Sequence, residues 1–144
     1  MIAQVFKTGE IIPAKIIVSL IQAKMKSKGW EKAKFLIDGF PRNQNNLNGW
    51  VETVGDTVDA QGVIYIKCSQ ETMTKRIIKR GETSGRVDDN IEIIKKRLVS
   101  YTNESYPVIE KFKSSKLPFY ELDGEKSAQE VNEECKLKLA HLLK

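Results

Sequence analysis

Phe35-Leu36-Ile37-Asp38-Gly39-Phe40-Pro41-Arg42 is the stretch on which the reading of the fold turns. Its leading apolar residues read as a buried strand, and the acidic residue that closes them puts a carboxylate at the strand's end. In α/β proteins ligands bind outside the carboxyl ends of the strands. Asp38 is therefore placed where it can hold a magnesium ion, directly or through water. A capped turn ahead of Gly39 is the alternative reading of the same carboxylate. Arg42, just after Pro41, falls on the loop at that edge, aimed at an anion or held in a surface ion pair.

Working outward, Val63–Ile66 and Phe119–Leu122 read as two further buried strands. Helical patterns surround them. Ala14, Ile17, Val18, Ile21 and Met25 share one helical face, and Gly29 stops that helix. Met73 and Ile77 line a second helix with Ser69 as its N-cap, and a third opens at Asp89 with Glu92 as a capping box. That third helix carries Ile91, Ile94 and Leu98, and Pro107 is expected to interrupt or bend it. Ser127 and Glu130 form a second capping box, followed by Val131, Cys135, Leu139 and Leu142 on one stripe. Strands alternating with helices argue for an α/β domain with a parallel sheet. The sheet is thin and the chain opens almost directly in helix, so the sheet is expected to be incomplete at its N-terminal side.

A chain of 144 residues, 40% hydrophobic and 30% charged, fits a single globular domain, residues 1–144. No apolar run is long enough for a bilayer, and the N-terminus lacks the features of a signal peptide. Cys68 and Cys135, without metal-ligand spacing, read as buried thiols in a reducing compartment, and His141 as a surface residue. The net charge of +5 suits an anionic substrate. It is built from 19 lysines but only five arginines, and four of those five fall between positions 76 and 97. The aromatic residues form no stacking platform, which argues against a nucleic-acid binder.

That arginine cluster surrounds the second chemical signal, Lys79-Arg80-Gly81-Glu82-Thr83-Ser84-Gly85-Arg86-Val87-Asp88-Asp89-Asn90, with Arg97 one helical stretch later. Two glycines read as a mobile loop able to fold over a polyanion. Phosphoryl transfer asks for positive charge around the equatorial oxygens and in-line geometry, and for little covalent chemistry from the protein. Convergent arginines, a metal, and no histidine or cysteine base fit that demand. The alternative is that Asp88 and Asp89 cap the next helix and the arginines are solvated.

Asp-Gly-Phe-Pro-Arg followed by Arg-Gly-x-x-x-Gly-Arg-x-Asp-Asp-Asn resembles the adenylate and UMP-CMP kinase family. The resemblance runs over essentially the whole chain. FLIDGFPRNQNNLNGW, Phe35 through Trp50, is similar to the UMP-CMP branch in particular. It implies a P-loop-kinase-like, doubly wound parallel sheet with flanking helices, lacking the first two strands. It further implies transfer of phosphate from ATP, with Mg²⁺, to UMP or CMP. Adenylate kinase activity, or a non-catalytic nucleotide-binding or interaction remnant, are the alternatives. Residues 1–28 would be the remnant of the monophosphate-binding region and residues 80–90 a short lid. Adenylate kinases are themselves a standing example of lid closure, so that motion is borrowed from the family.

The roles implied by the resemblance are these. Gly9, Ile11 and Ile12, in Gly9-Glu-Ile-Ile-Pro13, would line the base pocket together with Gly39. Arg42 would hold the acceptor's phosphate, and Arg86 and Arg97 would reach the transferred group and the acceptor. Arg80 would bind the ATP phosphates, and Arg76 would pack on the adenine. Leu122-Asp-Gly-Glu-Lys-Ser127, with Lys126, resembles the segment whose main chain receives that adenine. Asp38 would order magnesium-bound water, and Asp88 and Asp89 would fix the lid arginines or touch the acceptor. Asn46 stands where adenylate kinases carry glutamine, and its shorter amide suits a pyrimidine. The resemblance also implies a monomer when complete, in the cytoplasm or also the nucleus, with no membrane or nucleic-acid partner. The chain departs from the family at its start: no glycine is followed by lysine, so Gly-x-x-x-x-Gly-Lys-Ser/Thr does not occur, and the second strand and the arginine that helps Arg42 grip the acceptor phosphate are missing too. An incomplete sequence is the expectation drawn from that.

Overall fold

The computed structural model describes residues 13–84 and 91–142. The chain divides into two compact units between Asp59 and Ala60. In the first unit, α1 (Ala14–Ser27) packs on α2 (Gln44–Thr53), and a single 3₁₀ turn, Gly55–Thr57, follows. Gly49 of α2 lies against Ala14 and Val18 of α1, and Val18, Met25 and Val54 are the buried apolar residues of this unit. The apolar face expected from Ala14 to Met25 is therefore the face that packs.

The second unit holds the sheet. β1 (Val63–Lys67) and β2 (Phe119–Asp123) pair in parallel, with Val63 opposite Phe119 and Lys67 opposite Asp123. The parallel pair needs a long crossover. It is supplied by α3 (Gln70–Ser84), α4 (Ile91–Ser100), a π turn at Tyr101–Ser105, and α5 (Tyr106–Lys113). After β2, α6 (Ala128–Leu139) packs back on that strand. Ile94, Val108, Leu122 and Leu139 are its buried apolar residues. The fold class is α/β, a small parallel sheet with flanking helices. Among the described residues no helix is long and apolar enough to cross a membrane.

Several local expectations meet the structure directly. Ser69 Oγ accepts the Thr72 N–H at 3.1 Å, and Ser127 and Glu130 form the full reciprocal capping box. Pro107 sits in the first turn of α5, where its missing N–H matters least, and the π turn precedes it. Asp89 lies outside the described residues.

Other expectations are corrected. Phe35–Ile37 is not a strand: no ladder runs along it among the described residues, and Leu36 is 82% exposed. An apolar tripeptide has strand propensity but becomes strand only when a neighbour takes its N–H and C=O groups. Among the described residues the sheet accordingly has two strands, not the three expected. The first residues of the loop expected from Arg80 are helical, because α3 continues through Gly81 to Ser84. Neither cysteine is fully buried; Cys68 and Cys135 are both free and half-buried.

Candidate nucleotide site

The first unit carries one cluster of the expected site residues. After Asp38 the chain turns at Gly39, whose φ of +65° is a conformation that costs other residues about 1 kcal/mol or more. The Phe40–Pro41 peptide is cis, and the Phe40 ring stacks at a tilt on Trp50, 5.6 Å between centroids. These turns bring Arg42 back on itself, so that its Nε donates to the Gly39 carbonyl at 2.7 Å.

Helix α2 begins immediately after. Buried Asn43 is its N-cap, its Oδ1 accepting the Asn46 N–H at 2.8 Å. Asn43 thus caps the helix. Asn46 is 2% exposed, and its Oδ1 accepts the Arg42 N–H at 3.2 Å. That bond fixes which end of the amide faces Arg42, since only the oxygen can accept. The other end, Nδ2, is buried without a hydrogen-bond partner among the described residues. A buried donor left in this state costs roughly 1–3 kcal/mol unless something accepts from it. Asp38 is exposed. Among the described residues no group of three or more His, Cys, Asp or Glu could hold a metal ion. A single carboxylate fits a magnesium ion held through water, with phosphate oxygens as its other ligands.

The second unit carries the other cluster, at the carboxyl ends of β1 and β2. A cleft of about 510 Å³ opens there, lined by Lys67, Cys68, Ser69, Asp123, Glu125 and Glu134 among others. Burial pushes the Cys68 thiol above its usual range, with Glu125 adding to the effect, so the thiol is not activated. Arg76 Nη1 donates to the Gly124 carbonyl at 2.6 Å and Nη2 to the Lys126 carbonyl at 3.2 Å. Arg76 and the Lys126 backbone, both among the expected site residues, are thereby brought together. Lys126 Nζ meets Glu134 at 3.1 Å, and Arg80 stands one helical turn beyond Arg76 on the exposed face of α3. Arg97 is exposed in the last turn of α4. Gly9, Ile11, Ile12, Arg86, Asp88 and Asp89 lie outside the described residues.

Glu125 is the participant that sequence reasoning did not single out. It accepts from the Ser69 N–H and from the Thr72 hydroxyl, and these bonds hold its carboxyl below the usual range. Nothing in local spacing announces a partner 56 residues away.

Glu134 yields a prediction on pH. Lys138 at 2.7 Å and Lys126 at 3.1 Å pull its pKa from the ordinary 4.5 to about 2. A carboxylate whose pKa is lower folded than unfolded stabilises above the unfolded value and loses that contribution as pH falls through the folded one. Unfolding measured between about pH 4.5 and 2 should therefore be less pH-sensitive in Glu134→Gln than in the wild type. Parallel acid limbs would show that these bonds do not form in solution.

The adenylate kinase family model matches residues 1–117. The chain is 50% identical over 117 residues to a uridylate kinase of Schizosaccharomyces pombe, covering 79% of this chain and 59% of that protein. It is 37% identical over 137 residues to the UMP-CMP kinase of Homo sapiens, covering 93% and 69%. The UMP-CMP kinase of Gallus gallus is similar at 38% over 136 residues, covering 92% and 69%. The chain thus spans between about three-fifths and two-thirds of the length of these relatives.

Proposed function

The chain belongs to the adenylate kinase family, and on that premise we propose that it serves transfer of the γ-phosphoryl group of ATP to UMP or CMP. In that reaction an oxygen of the acceptor's phosphate attacks the γ-phosphorus, the bond to the β-phosphate oxygen breaks, and ADP leaves. Charge spreads over the three equatorial oxygens, and fixed cations stabilise it without moving. Arg42 grips the acceptor phosphate, with Gly9, Ile11, Ile12 and Gly39 around the base. Arg86 and Arg97 reach the transferred group, steadied by Asp88 and Asp89. Arg80 takes the donor's phosphates, while Arg76 and Lys126 take its adenine end. Magnesium, held through water by Asp38, would offset phosphate charge.

The observation that carries the pyrimidine assignment is the likeness to a uridylate kinase and to UMP-CMP kinases, and we assign the contact with the base to the Asn46 amide. Its oxygen is engaged by the Arg42 N–H, and its buried Nδ2 has no partner among the described residues. What Asn46 offers a base is therefore a donor, and it suits an acceptor such as a pyrimidine carbonyl oxygen or the cytosine ring nitrogen. The donor sits one turn from the arginine that would hold the phosphate of the same nucleotide.

Titration of the 144-residue chain with CMP, UMP and AMP tests this, read by Trp50 fluorescence in a Trp30→Phe background. CMP and UMP should bind more tightly than AMP. Asn46→Ala should reduce that preference by about 1–3 kcal/mol, roughly five- to 150-fold. The ratio, not the absolute affinity, reports the donor, because the Ala variant also leaves the Arg42 N–H without its acceptor. AMP as the tightest ligand would sink the pyrimidine assignment and favour adenylate kinase.

A further inference from the structure

The loop after β2 and the first turns of α3 hold each other from both sides. Glu125 accepts the Ser69 N–H on Oε1 and the Thr72 hydroxyl, at 2.6 Å, on Oε2. A carboxylate at this helix N-terminus also lies where the backbone dipole favours it. In return Arg76, further along the same helix, donates to the carbonyls of Gly124 and Lys126, with Glu125's own carbonyl 3.5 Å away. The loop is seated on the end of β1 as well, the Gly124 N–H bonding to the Lys67 carbonyl at 2.6 Å. A Cβ at position 124 would fall 2.7 Å from that carbonyl and 2.9 Å from Cys68 Cβ, so only glycine permits the approach.

We propose that Glu125 is a positioning residue, which ties this loop to α3 so that its carbonyls and the Arg76 guanidinium form one fixed array that receives the base of the phosphoryl donor. The inference rests on the proposed function, which puts the adenine of ATP at this loop. A row of carbonyl acceptors favours a purine with an exocyclic amino group over one with an oxo group at that position. The planar guanidinium offers the ring a flat cationic neighbour. Without Glu125 the loop keeps Arg76's bonds but loses its second anchor, and a base must then order it on binding.

The test uses the full chain, titrated with ATP and with GTP, together with side-chain NMR of the Arg76 Nη–H groups. The wild type should prefer ATP and show slow guanidinium rotation. Glu125→Ala should weaken ATP about tenfold, because part of what its two charge-assisted hydrogen bonds contribute must then come from binding. It should also narrow the ATP:GTP ratio and speed the rotation. Glu125→Gln should recover most of both, since its amide oxygen still accepts from Ser69 and its NH₂ can donate to the Thr72 oxygen. An Ala variant with an unchanged ATP:GTP ratio or still-slow Arg76 signals overturns the positioning role. If the wild type itself binds neither nucleotide, or both alike, the assignment of this loop to adenine fails. The Arg76 signals then still separate that failure from failure of the anchor.

Discussion

Residues 1–144, expressed and purified as such, are expected to phosphorylate CMP no faster than buffer does. Catalysis of this kind works by surrounding one phosphoryl group with fixed positive charge, and under the proposed function the arginines of this chain would supply one part of that shell. The other part, in P-loop kinases, is a Gly-x-x-x-x-Gly-Lys-Ser/Thr turn whose amides and lysine cradle the donor phosphates at a helix N-terminus. No glycine in these 144 residues is followed by lysine. Losing a single oxyanion-type donor costs about 10²–10³ in rate, and several together cost roughly the product. A fusion carrying a family phosphate loop and its strand ahead of Met1 should gain turnover that disappears when the loop's lysine is replaced. Brisk CMP turnover by the 144 residues alone would mean that the arginines suffice and that the catalytic account is misplaced.

The second large effect belongs to Leu122. It is 1% exposed and pairs with Ile66 across β2 and β1, in a sheet of two strands among the described residues. Leu122→Ala should destabilise the second unit by roughly 2–5 kcal/mol, the range for deleting most of a buried leucine. Amide exchange along Val63–Lys67 is the sensitive probe, because those N–H groups open with the sheet. Their protection should fall by about 30-fold or more, at a factor of ten per 1.4 kcal/mol. Protection within threefold of the wild type would show that the sheet is not the stable element of this unit. Phe119→Ala offers a control at the strand's start, where the residue is only half-buried and the loss should be smaller.

Sequence reading succeeded where the physics is local. Ser127 and Glu130, or Ser69 and Thr72, need only the spacing of one helical turn to find each other, so their caps were visible in the chain. The apolar stripe of α1 was visible for the same reason. Phe35–Ile37 failed because a strand is a relation between two segments, and an apolar run states only one side of it. At the candidate site, the arginines announced themselves by their scarcity, and Asp38, Arg42 and Asn46 by one short motif. What could not be read was how they are held. Arg42 folded onto Gly39, Asn46 with a satisfied oxygen and a nitrogen that has no partner among the described residues, and Glu125 bonded across 56 residues are products of packing.

The π turn at Tyr101–Ser105 absorbs one residue of the long crossover. A π turn holds more residues than the α turn it replaces, so it takes up the extra residue without turning α5 relative to α4. Removing one residue from the exposed Thr102–Asn103 pair would let the helix run on as regular α, with the side chains after it in nearly their present phase. Removing one residue from α4 instead would swing every side chain after it by about 100° around the axis. Val108 would rotate away from the interior, and the bond between the Tyr101 and Tyr65 hydroxyls, 2.8 Å long, would lose its alignment. The crossover therefore tolerates a change of length inside the π turn and not in the regular helix beside it.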